Sequence, residues 1–148
     1  MTYKGNQEIL NGNKTAFLCS RKVPADIVLK SYDWAKKQRE QDSCVVCGNQ
    51  SQIEKDVFEI LLRGTQSLIL VIARGMKTRW EPEIEKAVQA DRLLIISPFS
   101  SAVKRVSRAT AKKRNQEIIK LSDRITVGYM TQGGQLDELL AGVEVGGV

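Results

Sequence analysis

Between Lys104 and Arg114 the chain sets six cations, Lys104, Arg105, Arg108, Lys112, Lys113 and Arg114, with no carboxylate among them. Such a block is either a solvated face or an anion-binding patch. Taking Thr110 as the N-cap of a helix puts Lys112, Lys113 and Arg114 in its first turn. That is the wrong end for cations by about 0.3–1 kcal/mol each, and an external anion would supply the missing counter-charge. Asn115 follows directly, and Gly133-Gly134 lies downstream, where bare backbone could approach a ligand closely. Two other stretches share this potential. Ser20-Arg21 falls between a strand and a helix, where free N–H groups and the positive helix end favour anions. Gly48 closes the next strand and opens a polar turn through Ser51.

Proton chemistry has fewer candidates. The chain contains no histidine, which removes Ser-His and Cys-His nucleophile pairs, imidazole-ligated metals and the usual neutral-pH proton shuttle. Glu54 starts a helix at the expected crevice, with Asp123 and Glu138 nearby in the pattern. Acids in a first turn commonly serve the helix dipole, however, and a lone carboxylate is not an active site. Cys44-Val-Val-Cys47 spells C-x-x-C inside a Val-rich strand, where a period of two sends the thiols to opposite faces. With Cys19 they are expected to be buried structural thiols. Neither G-x-G-x-x-G nor G-x-x-x-x-G-K-[ST] occurs, so ordinary dinucleotide and Walker-type binding are unsupported.

The elements that must position these residues follow a regular rhythm. Residues 1–14 are polar and read as a loosely ordered arm with one turn of helix. Thr15–Cys19, Ser43–Cys47, Leu68–Ala73, Leu93–Ile96 and Arg124–Val127 read as strands. Between them run helical patterns: one from Pro24 to about Gln41, one with Ile53, Val57, Ile60 and Leu61 on a single face, one opened by Pro82, and one carrying Ile118, Ile119 and Leu121. A last short helix carries Leu136, Leu139 and Leu140, and residues 142–148 read as a fraying tail. Alternation of this kind predicts a three-layer α/β, Rossmann-like domain over residues 15–141. Its sheet is mostly parallel, of at least five strands, with helices on both faces. Ligands of such sheets bind beyond the strands' carboxyl ends. That rule gathers Ser20-Arg21, Gly48–Gln52, Arg74-Gly75, Ser97-Pro98 and Gly128–Gly134 onto one edge.

The net charge of +6 and 42% hydrophobic content suit an ordinary globular chain. No apolar run approaches the roughly 18 residues of a membrane span. The opening MTYKGNQEIL lacks the basic-then-apolar build of a secretory signal, so a cytoplasmic protein is expected.

The order of edge motifs resembles the core of the DNA-processing protein A (DprA/Smf) family, within the superfamily that includes the LOG-type phosphoribohydrolases. The family's glycine-serine-arginine turn stands here as Cys19-Ser20-Arg21. Its S-G-L-A-R-G-I-D turn stands as Cys47-Gly48-Asn49-Gln50-Ser51-Gln52-Ile53-Glu54, with Ser51 in the arginine's place. Arg74-Gly75-Met76 matches the turn after the third strand. Its R-N-R-I-I-A-G-L-S helix stands as Arg114 to Ser122, and its S-G-S-L turn as Gly133-Gly134-Gln135-Leu136. The resemblance covers about residues 15–140. It implies a homodimeric, non-enzymatic binder of single-stranded DNA without cofactor or metal, acting in DNA processing or recombination. The residues carried over are Ser20, Arg21, Gly48, Ser51, Lys112, Lys113, Arg114, Asn115, Gly133 and Gly134, with Glu54 and Tyr129 secondary. Tyr129 is the candidate base-stacker. The alternative is a nucleotide-ligand site or a degenerate LOG-type hydrolase of nucleoside monophosphates. That second reading calls for P-G-G-x-G-T-x-x-E, whereas Gln132–Glu138 keeps the double glycine, lacks the G-T pair and brings the glutamate two residues early.

Overall fold

Seven strands form one sheet in the order β1-β5-β4-β3-β2-β6-β7, in a computed structural model that describes residues 1–148. The strands are β1 (Thr2–Gly5), β2 (Lys14–Leu18), β3 (Cys44–Cys47), β4 (Leu68–Val71), β5 (Leu93–Ser97), β6 (Arg124–Val127) and β7 (Gly146–Gly147). Five helices connect them: α1 (Ala25–Glu40), α2 (Gln52–Leu62), α3 (Pro82–Gln89), α4 (Arg108–Leu121) and α5 (Gln135–Leu139). Every pairing is parallel except that of β1 with β5.

Strand alternation divides the core into two. Phe17, Val45, Cys47, Leu68, Leu70, Leu93 and Ile95 point to the face covered by Ala35 of α1, by Ile53, Val57, Phe58 and Leu61 of α2, and by Ala87 of α3. Ala16, Leu18, Val46, Ile69, Val71, Leu94 and Ile96 point to the other face, against Ile118 of α4 and Leu136 of α5. The topology explains this division. From β2 through β5 the chain steps one way across the sheet, and right-handed crossovers keep α1, α2 and α3 on one side. It then doubles back past β2 to β6, and the same handedness puts α4 on the opposite side. The reversal falls between β2 and β6, so a crevice opens beyond the carboxyl ends of these two strands.

The two chain ends differ from expectation. The supposed loose arm supplies β1, whose antiparallel register with β5 runs from Thr2 opposite Ser97 to Gly5 opposite Leu94. A 3-10 helix over Gln7–Asn11 then buries Ile9, and Lys14 Nζ ties it down by donating to the Leu10 and Gly12 carbonyls at 2.8 Å each. Gly5 is obligatory here: its φ is +113° and an added Cβ would lie 2.3 Å from the Leu93 carbonyl oxygen. The fraying tail likewise returns, Gly146 and Gly147 pairing with Thr126 and Val127. In both cases an edge of the sheet would otherwise expose unpaired backbone groups. Short polar or glycine-only strands carry no hydrophobic alternation to announce them.

Within β3, Cys44 packs on the α4 face of the sheet and Cys47 in the core of the other, so the C-x-x-C is split by the pleat as expected. Burial pushes the Cys19 and Cys44 thiols up from 9.0 to about 11, and pushes Cys47 higher still. We therefore expect slow alkylation of all three thiols at pH 8 in the native protein, and fast reaction of all three once it is unfolded. A rapid native equivalent would contradict this. Because folding favours the protonated thiols, their contribution to stability is intact below pH 9 and declines as pH rises through about 11.

Candidate nucleic-acid interface

A cleft of about 500 Å³ lies at the β2–β6 reversal, lined by Ser20, Arg21, Gln50, Ser51, Ser107, Arg108, Asn115, Thr131 and Gln135 among others. The turn after β2 forms one wall. There Ser20 donates its N–H to the Tyr129 carbonyl at 2.8 Å, and its hydroxyl accepts from the Thr131 N–H at 3.0 Å. These bonds clamp the β2 and β6 turns together and leave the Ser20 hydroxyl proton to donate elsewhere. Arg21 projects from the same turn, exposed and in no ion pair.

The floor is built on Glu54. This carboxylate is 2% exposed and accepts three backbone N–H bonds, from Gln50 at 2.8 Å, Ser51 at 3.0 Å and Cys19 at 3.0 Å. Ser51 caps α2 by accepting the Glu54 N–H at 3.2 Å, which completes a reciprocal capping box. Burial raises the Glu54 carboxyl above the ordinary carboxylate range. The three amides and the nearby Arg114 guanidinium pull in the opposite sense. Glu54 therefore joins the turn after β2 to the turn after β3; both of its oxygens are engaged.

Arg114 closes the third side. It is 1% exposed, and its guanidinium donates to the Gly48 carbonyl at 2.7 Å, to Gln50 Oε1 at 3.3 Å and to Asn115 Oδ1 at 2.9 Å. Burial lowers its pKa, which Glu54 counteracts. Arg114 thus lies beneath the cleft as an internal strut and offers no free face to a phosphate. Gly48 is required by that strut, since a Cβ there would lie 2.8 Å from Arg114 Nε.

The structure corrects the helix start as well. The N-cap of α4 is Ser107, whose hydroxyl accepts the Thr110 N–H at 3.1 Å while Thr110 Oγ1 accepts the Ser107 N–H at 2.8 Å. Lys112, Lys113 and Arg114 consequently fall in the second turn, and the argument from a first-turn misfit does not apply to them. It applies to Arg108. This residue opens the helix with no acid in the first turn, and the Arg108 and Ala109 N–H groups have no protein acceptor. Lys112 is exposed outside the cleft lining, and Lys113 sits with Nζ 5.5 Å from the centre of the Phe99 ring.

Of the remaining expected residues, Asn115 and Gly134 line the cleft, while Gly133 and Tyr129 do not. The double-glycine turn is internally satisfied. Gly133, at φ +75°, donates to Asp137 Oδ2 at 2.8 Å, and Gly134 donates to the Thr131 carbonyl at 3.0 Å. Tyr129 is exposed beyond the rim. Asp123 is not near this site at all. It lies before β6 at the opposite end of the strands, accepting the Lys14 N–H at 2.8 Å. Arg108, expected only as one member of the basic block, and Gln135, expected only as part of the double-glycine turn, are cleft residues in their own right. The Ser107-Arg108-Ala109-Thr110 pattern was the available signal, obscured because a capping box usually carries Glu or Gln in the place of Thr110.

Known proteins resemble this arrangement. A protein-family model described as DNA recombination-mediator protein A matches residues 1–142. Among solved structures, DNA processing protein A from Helicobacter pylori superposes with a TM-score of 0.74 at 16% identity, over 94% of this chain and 64% of that one. It is described there as having a unique single-stranded DNA binding mode. DNA processing protein A (DprA) from Streptococcus pneumoniae superposes with a TM-score of 0.75 at 19% identity, over 98% of this chain and 53% of that one. The chain thus spans less than two thirds of either protein. Comparison with curated protein sequences yields no match.

The Arg114 strut makes a stability prediction. Arg114→Ala leaves the Gly48 carbonyl without its donor and opens a void, so the unfolding free energy should fall on the order of 3 kcal/mol. Gly48→Ala, which must displace the same side chain, should lose about 1–3 kcal/mol. Urea denaturation measures both, and values near that of the parent protein would show that the strut contributes little.

Proposed function

The chain belongs to the DNA recombination-mediator protein A family, and from that premise we propose that it binds single-stranded DNA through phosphate contacts in the β2–β6 cleft. The observation that carries this reading is the charge balance of the cleft. Arg21 stands exposed in the turn after β2 and Arg108 at the start of α4, and neither takes part in an ion pair. The cleft's one carboxylate, Glu54, is consumed by three amides. Uncompensated cations, one of them at a helix N-terminus with no acid in its first turn, attract phosphate. The Ser20 hydroxyl and the free Arg108 and Ala109 N–H groups supply uncharged donors beside them.

The same geometry favours binding over hydrolysis. A carboxylate with both oxygens committed to backbone amides is poorly placed to take a proton from a water or a ligand. The volume supports a second, narrower reading. About 500 Å³ falls in the range of small-ligand sites, so a single nucleotide could also occupy the cleft. Neither reading requires a cofactor. A homodimer, as the resemblance implies, and a role in DNA processing or recombination belong to the same proposal. No helix is long and apolar enough to cross a membrane.

Fluorescence anisotropy of a labelled single-stranded oligonucleotide over a salt series tests the main reading. Affinity should fall steeply with salt, and the Arg21→Ala/Arg108→Ala double variant should flatten the log–log slope by roughly 1.4, about 0.7 for each lost phosphate contact. Absence of binding even at low salt would overturn it. Thermal stabilisation by nucleoside monophosphates without oligonucleotide binding would select the single-nucleotide reading.

A further inference from the structure

A second group of unpaired cations lies on the same sheet edge and leads away from the cleft rim at Val106–Arg108. The turn after β4 holds Arg74 and Arg79, and residues 60–80 contain no acid. The turn after β5 holds Lys104 and Arg105, and residues 92–116 contain no acid either. Two acid-free segments far apart in sequence are brought side by side. The Gly75 N–H donates to the Val103 carbonyl at 2.8 Å, which sets their neighbours Arg74 and Lys104 at one corner. Gly75 makes the approach possible, because a Cβ there would lie 2.3 Å from the Ser100 carbonyl oxygen. Ser97 adds a second tie, donating its hydroxyl to the Arg74 carbonyl at 2.5 Å.

None of these cations is neutralised. Arg79, Lys104 and Arg105 are exposed, and none takes part in an ion pair or a side-chain hydrogen bond. Arg74 is half-buried and steadied by donating Nε to the Gly75 carbonyl at 3.2 Å. Lys77 differs, since it pairs with Glu81 at 3.9 Å and lies 4.6 Å over the Trp80 ring. Lys113 of α4 faces Phe99 in the turn after β5, which extends the positive surface toward the cleft. No enclosed pocket is needed for such a row to act. A polyanion lying across it would meet several charges in succession, whereas one phosphate would meet only one or two.

Continuity sharpens the point. Lys104 and Arg105 directly precede Val106, Ser107 and Arg108 of the cleft lining, and the bond from Gly75 to Val103 carries the positive surface on from there to the β4 turn. A single nucleotide in the cleft would engage only the near end of that path. A strand can follow all of it. We propose that the ligand is a polynucleotide running across the strand ends, from the β2–β6 cleft over the β3 turn to a second phosphate row formed by Arg74, Arg79, Lys104 and Arg105. This rests on the single-stranded DNA reading of the cleft and adds to it a direction and a length requirement. It also assigns a role to the basic turns that the cleft leaves unused.

Length-dependent binding separates the two claims. The triple variant Arg79→Ala/Lys104→Ala/Arg105→Ala alters only exposed side chains, and its thermal unfolding should match that of the parent chain. We expect it to bind a single strand of about 16 nucleotides more weakly, with a salt slope flatter by about 2, while its affinity for a strand of about 4 nucleotides is unchanged. Arg21→Ala should weaken both lengths. Unchanged affinity of the triple variant for both lengths would overturn the second row while leaving the cleft intact. So would an equal loss on both lengths, since the row would then not be an extension of the cleft. A parent protein that binds neither length at low salt would remove the cleft reading itself.

Discussion

One buried carboxylate holds the functional edge of this molecule together. Glu54 collects the amides of Cys19, Gln50 and Ser51, and so fixes the turns after β2 and β3 relative to each other. Three charge-assisted hydrogen bonds offset part of the cost of taking the carboxylate out of water, and burial still holds it above the ordinary range. The nearest cation, Arg114, does not touch it directly. Gln50 links them, giving its N–H to Glu54 and its side-chain carbonyl to Arg114. Through Arg114 and the Gly48 carbonyl, α4 is tied into the same assembly. The cleft is therefore bounded by three segments distant in sequence whose positions are mutually determined.

This arrangement divides the charged residues into two kinds. Arg114 and Glu54 are internal and shape the edge, whereas Arg21, Arg108 and the cations of the β4 and β5 turns are external and give it its sign. The division matters for electrostatics. Buried charges that compensate each other contribute little field at the surface, and unpaired surface cations contribute most of it. A modest net charge of +6 thus becomes a locally strong one, because the acid-free segments converge on one edge.

Much of the fold was legible beforehand. The five inner strands announce themselves through apolar runs such as Leu68–Val71, buried on both faces, and the intervening helices through their apolar spacing. The edge strands were not legible. Thr2–Gly5 and Gly146–Gly147 form because neighbouring strands offer unpaired backbone, which is a property of the partner and not of the segment. The site was legible only in outline. Gathering the strand-end turns onto one edge follows from topology, but a basic block read as a patch hides which of its arginines shares the buried face of the helix. Arg108 and Arg114 are six positions apart and so about 120° apart around the helix; Arg114 shares the inner face with Ala111 and Ile118, where it meets the Gly48 carbonyl. The double glycine is a related case, because its amides are taken by Asp137 and the Thr131 carbonyl although Gly134 lines the cleft.

The shared carboxylate has a dynamic consequence. Amides bonded to a common acceptor inside the core cannot be released one at a time without leaving buried charge short of donors. The backbone N–H groups of Cys19, Gln50 and Ser51 therefore form a single cooperative unit for solvent exchange, although 31 positions of chain separate the first two. Any opening of the turn after β2 is also an opening of the turn after β3. The two walls of the cleft move together or not at all.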